Sequence, residues 1–144
     1  MSKIIIVDGA NVAYGEKSNE GKPKVGNLTL MHKALEAQGY NPIIVIDASL
    51  PYDVDDRQQL EALLDQQRLR QAPADTEADY FVLRTAEDHG AKVVTNDTYD
   101  KYREQFPWIE ERRVPFMIVK GEVELYQPKL DGEGAGAKQG DEGT

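Results

Sequence analysis

Residues 3–11 read KIIIVDGAN. Ile4-Ile5-Ile6-Val7 is a β-branched run with no polar alternation, which predicts a strand, Lys3–Val7, buried on both faces. It ends on the polar turn Asp8-Gly9-Ala10-Asn11. The pattern recurs along the chain. Ile43–Ile46 is a second buried strand, entered by a Tyr-Asn-Pro turn and followed by Asp47. Arg68–Gln71 gives a short strand. Lys92–Thr95 gives another, followed by Asn96-Asp97. Phe116–Val119 is a further strand, and Val123–Tyr126 adds one at an edge. Between them the spacing is helical. Asn27–Gln38 puts Leu28, Met31 and Leu35 on one face and stops at Gly39. Asp55–Gln66 carries Leu60, Leu63 and Leu64. Thr76–His89 turns Phe81, Val82 and Ala86 inward and closes at Gly90. Asp100–Phe106 and Trp108–Arg112 are short pieces split by Pro107. Buried strands alternating with amphipathic helices predict an α/β fold, a mostly parallel central sheet with helices on both faces. The polar loop Gly15–Gly26, with Lys17, Lys22 and Lys24, is expected to be flexible.

A chain of 144 residues is the size of one domain. That domain is expected over residues 1–130. Residues 131–144, DGEGAGAKQGDEGT, are rich in glycine and acid and are expected to be disordered, because they bury too little to offset ordering entropy. There is no cysteine, which excludes thiol nucleophiles, disulfides and Cys-based metal sites. His32 and His89 are too few for a histidine cage. No apolar run approaches the ~20 residues of a membrane helix, and MSKIIIVDG has no leader-like apolar segment. The expectation is a cytoplasmic protein with no membrane partner. The net charge of −9 opposes tight polyanion binding through bulk charge, but it allows a local basic groove and suits metal collection by carboxylates.

In an open parallel sheet, ligands bind beyond the carboxyl ends of the strands. That rule puts Asp8, Asp47 and Asp97 on one edge, with Asp100 three residues past Asp97. Thr76-Glu77-Ala78-Asp79 has the form of a capping box with Asp in place of the usual Glu. It predicts a helix start at Thr76 and brings Asp79, in the first turn, to the same edge. Singly, these acids read as turn formers, caps or solvated helix residues. Together they repel and raise one another's pKa unless a cation neutralises them. An all-oxygen site suits Mg2+ or Mn2+, which acts on phosphate oxygens. Phosphate-binding alternatives lack their parts: there is no GxxxxGK[ST] loop and no GxGxxG after the first strand. Ala10 stands where an Asp-x-Asp phosphatase needs its second acid. A receiver domain needs an acidic pair, and Asp8 stands alone even though Lys120 would suit one. Metal-dependent phosphodiester hydrolysis by water remains.

Three segments, IIIVDGANVAY (4–14), ADTEADYFVLRTAEDHGAKVVTNDTYDKY (74–102) and RVPFMIVKGEVELYQP (113–128), resemble the NYN branch of the PIN-like nucleases. They are similar in particular to the regnase-like ribonuclease domains found beside CCCH zinc fingers in animals and to stand-alone prokaryotic relatives. The resemblance covers most of residues 3–128. It rests on the ordered set V-D-G-x-N, then A-D opening a helix, then T-N-D with its Asp eighteen residues on.

The resemblance implies a PIN-like Rossmannoid fold and a metal-dependent endoribonuclease that hydrolyses RNA with metal-activated water. By position, Asp8, Asp79 and Asp97 match the metal-binding acids, Asn11 the Asn after the first of them, and Thr95 and Asn96 the polar residues before the third. The family often has a fourth acid four residues after the third. Here that position is Lys101, with Asp100 one residue early, so the fourth acid is Asp100 or none. Lys22, Lys24, Arg68, Arg70 and Lys101 are candidate phosphate contacts, with Arg84, Arg103 and Lys120 beside them. Tyr14 and Tyr99 flank the acids in sequence and either stack bases or fill the rim of the core. The expected partner is RNA, single-stranded in the first instance, and a homo-oligomer stays open. The rival reading is a non-catalytic PIN-like module that binds RNA or a protein. Intact acids facing phosphate favour the enzyme.

Overall fold

The computed structural model describes residues Lys3–Tyr126; the tail expected over 131–144 lies outside the described residues. β1 (Lys3–Asp8) is the middle strand of a five-stranded sheet. On one side of it come β2 (Tyr40–Ile46) and then β3 (Leu69–Gln71); on the other come β4 (Lys92–Val94) and then β5 (Arg113–Val114). Every pairing in this sheet is parallel. Parallel neighbours need crossovers, and helices supply them. α1 (Gly9–Ala13) and α2 (Val25–Ala37) lead from β1 to β2, α3 (Leu50–Asp53) and α4 (Arg57–Asp65) from β2 to β3, and α5 (Ala78–His89) from β3 to β4. A single-turn 3-10 helix, Asp100–Tyr102, and α6 (Ile109–Arg112) precede β5. The expected α/β sheet with helices on both faces is the observed one.

The period-two geometry of the strands sorts the core into two layers. Ile5 and Val7 join Ile44, Ile46 and Val94 against α1, α2 and α4, where Val12, Leu28, Met31, Leu35 and Leu60 meet them. Ile6, Val45 and Val93 face the other way, against Val82, Leu83 and Ala86 of α5 and the aromatic rings of Tyr99, Tyr102 and Phe106. Ile5, Ile6 and Val7 have no exposed surface, and each such side chain contributes about 1.5–3 kcal/mol by leaving water. β1 is therefore the anchor of the fold, and whatever follows it is held firmly. Among the described residues no helix is long and apolar enough to cross a membrane.

Three local expectations are corrected. Phe116–Val119 is not a strand of the parallel sheet: it is β6, paired antiparallel with β7 (Glu122–Leu125) in a separate hairpin. Pro115, which has no N–H to donate, separates it from β5. Lys120 and Gly121 at the hairpin turn have φ of +51° and +78°, the left-handed pair that a tight two-residue turn requires. Helix α5 starts at Ala78, not Thr76, and no side chain caps it. Thr76 is folded into a turn, its N–H on the Pro73 carbonyl at 3.0 Å, and the Glu77 carboxylate is engaged by Lys101 and Tyr102. Finally, the lysine-rich loop is tied down rather than free. Ser18 N–H meets the Lys22 carbonyl at 2.8 Å and Lys24 N–H meets that of Ala13 at 2.9 Å. Buried Asn27 donates its amide to the carbonyls of Val12, Ala13 and Glu16.

Candidate active site

The strand order reverses direction beside β1, between the chain's path to β2 and its later return to β4. The crevice at such a switch point is where an α/β sheet receives ligands. Asp8 ends β1 there and caps α1, its Oδ1 accepting the Asn11 N–H at 3.3 Å. Gly9 follows because α1 starts hard against β2: a Cβ at this position would lie 2.6 Å from the Val45 carbonyl and 2.6 Å from an Ile46 methyl. Asp8 is only 7 % exposed. Its Oδ2 accepts the Tyr99 hydroxyl at 2.6 Å and the Thr95 hydroxyl at 3.1 Å. Burial pushes the Asp8 carboxyl up; the bonds from Tyr99, Asn11 and Thr95 oppose that rise, and the Asp97 charge adds to it. Burial and the Asp8 charge in turn push the Tyr99 hydroxyl well above its ordinary value, so it stays protonated and donates.

The residues after β4 form the second side of the crevice. Thr95 is fully buried, and its Oγ1 accepts the Asp97 N–H at 3.0 Å. Asp97 Oδ1 accepts the Tyr99 N–H at 2.8 Å. Asn11 reaches across from α1 and accepts the Asn96 N–H at 2.8 Å. Asn96 is held to β6 by two bonds, its amide donating to the Phe116 carbonyl at 3.0 Å and its Oδ1 accepting the Phe116 N–H at 2.9 Å. The two asparagines thus tie α1, the end of β4 and the β6–β7 hairpin together.

Asp79 enters from the first turn of α5 and is half-buried. Its carboxyl is pushed up to about 6, first by burial and then by the charges of Asp8, Asp97, Glu77 and Asp47. These acids are therefore electrostatic neighbours. They are not a finished cage: among the described residues no three His, Asp or Glu side chains stand close enough to hold a metal ion as they are. Asp47 mainly forms a turn, accepting the Leu50 N–H at 3.0 Å and the Ser49 hydroxyl at 3.1 Å. Chemically, the edge offers a buried, hydrogen-bonded carboxylate, an exposed one and one that exchanges its proton near neutrality.

The family model of the Zc3h12a-like ribonuclease NYN domain matches residues 1–133. The chain belongs to this family. It is a family of RNA-cleaving nucleases, and the resemblance read from the motifs agrees with it. Two solved structures of nuclear proteinaceous RNase P 2 from Arabidopsis thaliana share the fold of this NYN domain, with 22% and 24% sequence identity and TM-scores of 0.69 and 0.68. Each alignment covers 89% of this chain and 30% of the other, so the NYN domain spans less than a third of those proteins. No curated protein matches the sequence.

The other candidate residues of this NYN domain are more scattered. Asp100 is exposed and faces Arg103 at 3.9 Å. Lys101 pairs with Glu77 through both carboxylate oxygens at 2.9 Å, and the Tyr102 hydroxyl bonds the same carboxylate. Lys24 pairs with Glu16 at 3.5 Å, and Lys22 is exposed in its turn. Arg70 lies on edge strand β3 and Arg68 just before it, with β2 between them and β1. Arg84 pairs with Asp88 on α5, Arg103 with Glu110, and Lys120 sits in the hairpin turn. Tyr14 is 43 % exposed with the Lys17 ammonium 5.9 Å from its ring. Tyr99 has no such freedom: at 3 % exposure its ring offers no face to a base, which corrects the stacking alternative and leaves the core one. The residues that sequence reasoning missed are Tyr99 as the partner of Asp8, and Glu77 as a charge that acts on Asp79 while pairing with Lys101. The only sequence signal for either was its position beside a motif acid.

Proposed function

We propose that this NYN domain is a cytoplasmic, metal-dependent endoribonuclease that hydrolyses single-stranded RNA at the Asp8, Asp79 and Asp97 carboxylates with Mg2+ or Mn2+. The observation that carries the reading is the gathering of acids at the switch-point edge: the Asp79 carboxyl is pushed up to about 6, first by burial and then by the charges of Asp8 and Asp97. Clustered, uncompensated carboxylates facing a crevice are costly without a cation. The donors are carboxylate oxygens, with no sulfur and no imidazole among them, which fits a hard divalent ion. Asp8, Asp79 and Asp97 would hold it. Bound there, the ion supplies phosphoryl polarisation and a lowered pKa for water.

The chain's own residues do the remaining work. Asn11, Thr95 and Asn96 hold the strand ends in register, so the acids do not have to be ordered when substrate arrives. Asp100 is the fourth acid of the reading, at the outer rim. Lys22, Lys24 and Lys101 are the phosphate contacts, with Arg68 and Arg70 reached only by a longer strand. The test is labelled single-stranded RNA incubated with Mn2+, with EDTA, and with Asp97→Asn. Cleavage is expected with Mn2+ alone and is lost in the other two. Tight binding that ignores both metal and Asp8→Asn, with no cleavage under any ion, replaces the enzyme with a non-catalytic binding module.

A further inference from the structure

The bonds around Asp8 and Asp97 close into a circuit. The Tyr99 hydroxyl donates to Asp8 Oδ2 at 2.6 Å, and the Thr95 hydroxyl donates to the same oxygen at 3.1 Å. The Thr95 oxygen accepts the Asp97 N–H at 3.0 Å, and Asp97 Oδ1 accepts the Tyr99 N–H at 2.8 Å. The path from Asp8 through Thr95, Asp97 and Tyr99 returns to Asp8 without a gap. Tyr99 contributes twice, with its amide to one acid and its hydroxyl to the other. Its backbone is left-handed, φ +52° and ψ +44°, a conformation that costs a side chain other than Gly or Asn about 1 kcal/mol. The aromatic packing around Tyr99 would be served as well by phenylalanine; the hydroxyl is the part that reaches Asp8. Among the described residues no hydrogen bond reaches Asp97 Oδ2, and Asp8 Oδ1 has only the long one from Asn11.

We infer that Tyr99 is a positioning residue: its amide and hydroxyl lock Asp8 and Asp97 into one unit, reserve Asp8 Oδ2 for the protein, and leave Asp8 Oδ1 and Asp97 Oδ2 for a divalent cation. The role of the cation rests on the nuclease reading; the circuit does not. Two carboxylates repel, and held independently they would swing apart in the metal-free protein. Held through shared hydroxyls and amides, they keep their spacing, and the ordering cost of binding is lowered in advance.

The test compares Tyr99→Phe, Thr95→Val and Thr95→Ser with wild type by amide hydrogen exchange without metal, Mn2+ calorimetry and RNA cleavage. Tyr99→Phe is expected to keep its fold, with exchange at the Asp97 and Tyr99 amides faster and Mn2+ affinity about tenfold weaker, equivalent to about 1.4 kcal/mol. Thr95→Val should behave alike, and Thr95→Ser, which keeps the hydroxyl, should stay near wild type. If Tyr99→Phe only melts earlier, with unchanged exchange and Mn2+ affinity, Tyr99 is a core residue and the inference fails. If Tyr99→Phe does not fold, the Thr95 pair gives the same readouts. Wild type that shows no metal-dependent cleavage defeats the nuclease reading, and the exchange arm still decides the circuit.

Discussion

Asp8 and Asp79 act on each other electrostatically from the ends of different elements, and their surroundings differ in kind. Asp8 ends the most buried strand, and three donors oppose the cost of its burial. Asp79 sits at the start of a helix, and among the described residues no hydrogen bond reaches its carboxylate. It meets four further acids and, as its favourable partner, the positive end of α5. One side of the site is thus fixed in geometry before any ligand arrives. The other is fixed only in location, and its charge state follows pH and whatever cation is present.

The sharpest way to break this contrast is to remove a fixed acid. Asp97→Asn is expected to lower RNA cleavage by about a hundredfold or more, on the scale of losing a charge-stabilising group, while the metal-free melting temperature holds or rises because a repelling charge is gone. Asp8→Asn should cost as much activity. A large loss of stability in both would make these acids structural.

Added metal comes next. At a hundred times its dissociation constant, Mg2+ or Mn2+ should stabilise the fold by about 2.7 kcal/mol, seen as a higher melting temperature that EDTA reverses. No shift with either ion would remove the cation from the crevice.

A smaller effect belongs to Asp79 alone. Its folded pKa of about 6 lies above its ordinary 3.8, so the folded state binds more protons than the unfolded chain between those values. The contribution to stability is complete below about 4 and is lost as pH rises through 6. Melting temperatures from pH 4 to 7 should show that fall in metal-free wild type and a weaker one in Asp79→Asn. Identical slopes would mean that Asp79 titrates normally.

The least effect is expected from Glu77→Gln. It takes one of the four charges from Asp79 and should lower its titration midpoint, read by carboxyl NMR, by a few tenths of a unit, the size of a screened surface interaction. An upward move would contradict the assigned cause.

The parallel sheet was legible because Ile4–Val7 and Ile43–Ile46 are uninterrupted β-branched runs, and strand ends follow directly from strands. Asp8, Asn11, Thr95, Asn96 and Asp97 follow β1 and β4 for the same reason, whereas Asp79 comes from the first turn of α5. What stayed hidden involves partners distant in sequence. Phe116–Val119 is apolar at every position, so its true alternation, with Met117 and Val119 exposed, leaves no trace in residue type. The start of α5 moved because Thr76 is held in a turn, its N–H on the Pro73 carbonyl, and the pairing of Glu77 with Lys101, 24 residues away, was equally hidden. Tyr99 read as an aromatic of uncertain use because its hydroxyl's partner is 91 residues away. The basic residues were the least legible: a lysine shows its charge in the sequence but not the acid that occupies it, as Lys101 illustrates.

The order of strands also divides the acids between the two halves of the chain. Asp8 lies in the first strand, whereas Asp79, Asp97 and Tyr99 all come after the exposed turn at Gln66–Arg68, where Gln67 has φ +59°. A chain opened at that turn gives two fragments, each holding part of the reactive edge and neither holding all of it. Nuclease function in such a split protein would report directly on reassociation of β1 with β4. For the same reason, a growing chain cannot bring Asp8 and Asp97 together until β4 has emerged and docked beside β1.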